Sequence, residues 1–259
     1  MRALRLLCLA AVLLAATPLH AHAQADWLRV LAADGLALAG SPAHWDQRGW
    51  GQAGLTAGGA MALYQMDGRI RDSLQHRRGG VGDAFADLGN PFGDPLILVP
   101  GLAITALWGH HSGDGYLKVT GLKGAEALLF AGMSTALVKA AGGRARPEAG
   151  LGPYDWSGPR SGPDTRLSFP SGHTSSAFAV ATVIARRHPA IRIPAYGIAA
   201  LTGFARLERD QHWASDVWTG AALGIWVGRT LTGPETSSRV RIEPMLLPGG
   251  AGIQLSMAR

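Results

Sequence analysis

At 259 residues the chain has room for one large domain or two small ones, and a formal charge of +6 is too modest to mark a nucleic-acid binder; the basic residues form no stripe interleaved with aromatics. Glycine is abundant at 36 residues but follows no fixed period, which excludes collagen-like and repeat architectures. The single cysteine, Cys8, excludes a disulfide framework.

In chain order, a secretory signal comes first. Arg2 and Arg5 precede an apolar run from Leu6 to Ala16, and Ala21-His22-Ala23 supplies a small-residue cleavage pattern, so residues 1–23 read as a signal peptide cut before Gln24. Its loss removes Cys8 and lowers the charge from +6 to +4. Residues 24–237 are then expected to form one helical domain. Residues 24–50, with Trp27, Trp45 and Trp50, suggest one short helix and a loop. Six apolar segments of helical length follow, at 52–66, 95–109, 123–141, 173–187, 191–207 and 213–231. The longest irregular stretch is 148–165, and long loops inside compact domains are usually functional. Residues 238–259 close the chain with two alternating segments around Pro248-Gly249-Gly250, which predicts a β-hairpin. The expected fold is all-α: a helical bundle of about six core helices with a small C-terminal β-hairpin.

The uninterrupted apolar lengths, about 12–17 residues, fall short of the ~20 that a bilayer span requires. Together with a mean hydropathy near zero after signal removal, this favours a periplasmic protein, soluble or membrane-associated. Arg186, Arg187 and Arg192 cluster in one turn, as in a cytoplasmic loop, so an integral inner-membrane protein with a periplasm-facing site is the alternative.

Three clusters carry chemistry. Pro170-Ser171-Gly172-His173 stands where an apolar helix begins. Unpaired N–H groups and the positive dipole end of a helix bind phosphate-like anions, Gly172 allows close backbone approach, and Ser171 adds a hydroxyl. The alternative for Ser171 is an ordinary helix cap. Lys139 and Arg146 lie seven residues apart around Gly142-Gly143, and a helix ending between them would aim both cations at one point. Cations without nearby carboxylates suit a phosphoryl group; their alternative is service to the helix dipole. His212 and Asp216, four apart, would sit one above the other on a helix, with the carboxylate fixing the imidazole tautomer and Arg206 six residues upstream.

Other polar groups invite plainer readings. His110, His111 and Asp114 are the best candidate for a metal site but read as a polar loop after an apolar helix; no metal or other cofactor is expected. Asp83, Asp87 and Asp94 read as caps or turns. Trp213 and Trp218 either pack the core or wall a pocket, and Tyr154 and Trp156 lie in the long loop, within reach of a substrate.

Taken together, Lys139–x6–Arg146-Pro147, Pro170-Ser171-Gly172-His173 and Arg206–x5–His212–x3–Asp216 resemble the tripartite signature of the type 2 phosphatidic acid phosphatase superfamily, which also holds class A acid phosphatases and vanadium haloperoxidases. The motifs span 139–216 and the helical pattern extends the likeness over about 95–231. Ala205 departs from the pattern, which usually has Ser before the Arg. The resemblance implies a metal-independent phosphatase whose catalytic residues are His212 as nucleophile, Asp216 as its orienting partner and His173 as acid and base. Lys139, Arg146, Ser171, Gly172 and Arg206 would hold the phosphoryl oxygens. The implied substrate is a phosphorylated lipid or a small phosphoester, met at a membrane surface or in solution; a vanadium-dependent haloperoxidase using the same anion pocket is the alternative. The oligomeric state is not legible.

Overall fold

A computed structural model of the protein describes residues 21–159, 163–233, 241–247 and 250–256. It is mostly helical. Among the described residues eight α-helices follow in order: α1 Ala21–Gly40, α2 Gln47–His76, α3 Val81–Gly89, α4 Pro95–His111, α5 Gly115–Gly142, α6 Gly172–Arg187, α7 Arg192–Glu208 and α8 Ala214–Leu231. The expected signal peptide lies outside the described residues apart from Ala21–Ala23, which begin α1. The helical part of the expectation therefore holds.

Local chemistry sets the helix ends. Asp46 accepts from the Gly49 N–H at 2.8 Å to start α2, and Asp94 accepts from Leu96 N–H at 2.9 Å with Pro95 in the first turn of α4. Asp114 does the same for α5, 2.9 Å from Leu117 N. Two departures from the sequence pattern matter below. The segment expected at 52–66 continues to His76, through a polar run in which Asp67, Arg71 and Gln75 find tertiary partners. Residues 81–89, expected as a connection, form α3, where Gly89 lets the backbone close on α7; a Cβ there would meet Leu201 O at 2.5 Å.

α6 is the axis of the bundle. Small residues bury it on every side, with Ala179 and Val183 against α1, α5 and α8, Val180 against α4 and α5, and Ala177 and Ala181 against α7. Gly220, Gly224 and Gly228, spaced by one turn on α8, face α6 so closely that a Cβ at Gly220 would lie 2.5 Å from Ser171 O. Ridge and groove thus lock the start of α8 to the start of α6, and both ends belong to the site.

Among the described residues no single helix is long and apolar enough to cross a membrane; α3 with its short extension and α4 pass together only as a pair bent by 58°. α4 nevertheless turns Leu96, Ile97, Ile104, Leu107 and Trp108 outward.

Candidate functional site

Three segments meet at the N-terminal end of α6. α5 stops at Gly142, and Gly143 in the left-handed region (φ 63°) turns the chain so that Lys139 and Arg146 serve one space. Lys139 Nζ donates to the carbonyls of Leu167 and Ser168, the latter at 3.3 Å. Gly172 opens α6 beside it; an added Cβ would stand 3.9 Å from Lys139 Cε. Ser171 makes no side-chain cap to α6, against the plainer expectation. Its N–H donates to Asp216 O at 3.0 Å, and its hydroxyl accepts from Thr174 Oγ1 at 2.9 Å, which leaves the Ser171 hydroxyl hydrogen to donate elsewhere.

The segment between α7 and α8 carries the second half. The Arg206 carbonyl accepts from the N–H groups of Gln211 (3.1 Å) and His212 (3.3 Å), and Asp210 takes a positive φ of 55° in the tight turn between. His212 and Asp216 were expected on one helix, but His212 precedes α8, which starts at Ala214, and Asp216 lies in its first turn. The reason is hydrogen bonding: Asp216 Oδ2 reaches back to accept the Trp213 N–H at 3.0 Å, which makes Trp213 the cap and starts the helix two residues after His212. His212 Nδ1 stands 3.6 Å from Asp216 Oδ2, an ion-pair separation longer than a hydrogen bond, and makes no hydrogen bond. Asp216 is otherwise fully engaged, with Arg144 Nη1 on Oδ1 and Ser168 Oγ on Oδ2, each at 2.5 Å.

The expected cations are not all free of carboxylates. Asp164, from the long loop, pairs with Arg146 Nη2 at 3.0 Å, and the Asp164 carbonyl accepts from Arg146 Nε at 2.9 Å. Arg206 donates to Asn90 Oδ1, while its buried Nε makes no hydrogen bond. Positive charge still dominates. Burial first, and Arg146 next, push Lys139 down to about 7. Burial with Arg206 pushes His173 down to about 4, and burial with Arg146 lowers Arg206 to about 10. His212 falls well below its usual value through burial, then through Lys139, Arg146, Arg206 and His173, so all four lie close enough to act on it. Burial raises Asp216 while Arg144, Ser168 and the Trp213 N–H oppose it; those donors need an acceptor, which the carboxylate supplies. A phosphoryl dianion among these groups would raise both imidazoles and the lysine.

Every residue expected at the site is therefore gathered at one end of the bundle. Sequence reasoning missed Arg144, Asp67, Ser168 and Asn90. Arg144 stood two residues before Arg146 inside a motif already in view, and Asp67 lay just past the presumed end of its helix. The remaining candidates fall elsewhere. His110 and His111 end α4 and Asp114 caps α5; among the described residues no group of three His, Cys, Asp or Glu side chains is placed to hold a metal. Asp94 caps α4, and Asp87 pairs with Arg209. Trp213 is buried, its indole N–H on Ala145 O at 2.8 Å, whereas Trp218 bonds Thr56 O on α2. Tyr154 and Trp156 pin the long loop to α2 through Gln65 O and the Tyr64 hydroxyl.

Residues 121–233 match the PAP2 superfamily. Among curated proteins, a lipid A 1-phosphatase of Porphyromonas gingivalis is 48% identical over 65 residues, covering 24% of this chain and 15% of that protein. A lipid A 1-phosphatase of Rhizobium johnstonii is 35% identical over 101 residues, 38% of this chain and 41% of the relative. The chain thus spans less than half the length of these relatives. Two solved structures match with TM-scores below 0.5. The crystal structure of Aquifex aeolicus LpxE matches with a TM-score of 0.47 and 23% identity, over 65% of this chain and 96% of that one. A transmembrane PAP2-type phosphatidylglycerolphosphate phosphatase from Bacillus subtilis matches with a TM-score of 0.45 and 19% identity, over 64% and 83%.

Proposed function

Since the chain is a type 2 phosphatidic acid phosphatase-like protein, we propose that it hydrolyses the terminal phosphate monoester of a lipid, through a phosphohistidine intermediate. The observation that carries this is the convergence of Lys139, Arg146, Arg206 and the start of α6 on a buried His212 whose depressed basicity leaves it neutral and nucleophilic.

His212 attacks phosphorus with its free nitrogen, the P–O bond to the lipid breaks, and His173 gives its proton to the departing alkoxide. Water then attacks the phosphohistidine, His173 takes a proton from it, and the P–N bond breaks to release phosphate. Asp216 steadies the imidazolium that forms. Lys139, Arg146, Arg206, the Ser171 hydroxyl and the backbone at Gly172 hold the equatorial oxygens, where charge is spread in the transition state. A His173 at about 4 in the free site becomes a competent acid only once the dianion is bound, so substrate binding itself arms it.

A lipid is favoured over a small ester on two grounds. The matched relatives act, by name, on the 1-phosphate of lipid A, and they lend the haloperoxidase alternative no support. The outward apolar side chains of α4 suit a membrane surface, and export through residues 1–23 would place the site on its periplasmic side. The proposal keeps the C-terminal hairpin, supported by the antiparallel pairing of Arg241–Leu247 with Gly250–Ser256; nothing in the mechanism uses it.

The test is phosphate release in the presence of a chelator from phosphatidic acid, lipid A and p-nitrophenyl phosphate, with wild type and His212→Asn side by side. The expected outcome is release by wild type, fastest from a lipid, and loss of at least ~10³-fold in the variant. A wild type that releases nothing, or a variant as fast as wild type, would sink the mechanism.

A further inference from the structure

One helix outside the superfamily match grips the nucleophile segment along its whole length. Asp67, Arg71 and Gln75 stand one turn apart on α2, so they form a single stripe. Gln75 Nε2 donates to the carbonyls of Leu207 (3.4 Å) and Glu208 (3.3 Å), where α7 ends. Arg71 forks onto Asp210, Nε and Nη2 each 2.6 Å from a carboxylate oxygen, at the positive-φ turn. Asp67 takes the Ser215 N–H at 2.9 Å and the Ser215 hydroxyl at 2.5 Å, at the start of α8. His212 lies between the last two grips.

Asp67 does more than anchor. Its Oδ2 also accepts Arg144 Nη2 at 2.7 Å, and the same guanidinium gives Nη1 to Asp216 Oδ1 at 2.5 Å. All three side chains are completely buried. The rings of Tyr64, Trp156 and Trp213 surround the guanidinium, with centroids 4.9, 5.3 and 5.5 Å away, and so hold its position. Each end of the fork therefore has its own carboxylate. Without a charge at residue 67 the guanidinium, still held by Pro153 O and Ser215 Oγ, would have Asp216 as its one charged partner, and the stronger pull would draw the Asp216 carboxylate away from His212 Nδ1.

We propose that Asp67, Arg71 and Gln75 form a positioning brace for residues 207–216, and that Asp67 sets the orientation of His212 through Arg144 and Asp216. This rests on the phosphatase reading with His212 as nucleophile. The brace touches no substrate and leaves Lys139, Arg146 and Arg206 alone, so its loss should lower kcat and spare KM.

The experiment measures kcat and KM of the full chain on short-chain phosphatidic acid in micelles for wild type, Asp67→Asn, Arg71→Gln, Asp216→Asn and the double variant Asp67→Asn/Asp216→Asn, with folding checked by circular dichroism. For Asp67→Asn, kcat should fall by ~10- to 100-fold with KM within about twofold, the scale of a misplaced reacting group. The double variant should be no slower than Asp216→Asn alone, since both act on one imidazole. Arg71→Gln, at a third-exposed position that tolerates change, should lose severalfold in kcat and decides the matter if Asp67→Asn does not fold. A folded Asp67→Asn with wild-type kcat, losses that multiply in the double variant, or a raised KM at constant kcat would each overturn the brace while the phosphatase stands. A wild type that releases no phosphate fails the phosphatase reading, and the brace with it.

Discussion

α5 half-buries Lys123 and Lys139, and only the first of them is matched by carboxylates. Lys123 lies 2.7 Å from both Asp34 of α1 and Glu126; burial lowers its basicity, but the two acids outweigh that and leave it raised. Lys139 meets two carbonyls, and Arg146 and Arg206 add to its burial, so it falls to about 7. The first lysine joins helices and is complete in itself. The second is held in place by dipoles and left with charge to spend on an anion. Arg144 stands between these cases: compensated twice over, like Lys123, yet one bond from Asp216, the proposed orienting partner of His212.

Arg144 offers the hardest test of that contrast. Arg144→Ala leaves Asp67 and Asp216 buried side by side without their cation, a change that typically costs about 3–5 kcal/mol. In a chain of this size that lowers Tm by roughly 10 °C in calorimetry, and kcat should fall with it. A variant as stable as wild type would mean that the two carboxylates share a proton, and that compensation is not what distinguishes this region.

The helices themselves were legible because the apolar spacing that writes them is local: four of the six expected segments lie wholly within observed helices, and 191–207 and 213–231 each start one residue too early. The site's ionic residues were legible only where a motif named them. Asp67 was not, since "MDGRIRDSLQ" reads as the solvated tail of a helix until the partners that bury it are known, and those partners are about 77 and 148 residues away. The place of His212 outside α8 was hidden for a related reason. A four-residue spacing predicts stacking on a helix, but Asp216 serves as the acceptor that starts α8, which only the fold decides.

Lys139 gives the next effect, and its sign is unusual. Its folded pKa lies below the ordinary 10.5, so between about 7 and 10.5 the unfolded chain binds more protons and the native state gains stability as pH rises. Activity should move the other way, kcat/KM falling as pH rises through about 7 and the free site loses a cation. Lys139→Met should lose both trends and about 10²-fold in kcat/KM at pH 6. Parallel urea titrations and pH–rate profiles read them; a wild-type kcat/KM flat from pH 6 to 9 would place the lysine among the structural pairs.

Glu126 should give the smallest effect, and the sharpest separation of structure from chemistry. Burial, aided by the neighbouring Asp34, raises its carboxyl from 4.5 to about 8, so at neutral pH it is largely protonated and Lys123 neutralises Asp34. A raised acid stabilises the fold below about 4.5 and loses that contribution as pH rises through about 8. Glu126→Gln mimics the protonated form. Its stability at pH 6 should sit within about 1 kcal/mol of wild type, and the difference should turn in the variant's favour by pH 9. Its kcat should match wild type throughout, because the Lys123 cluster adds nothing to the pocket. A fall in kcat beyond about twofold would join the two ends of α5 after all, and the division between a self-contained pair and an open cationic site would fail.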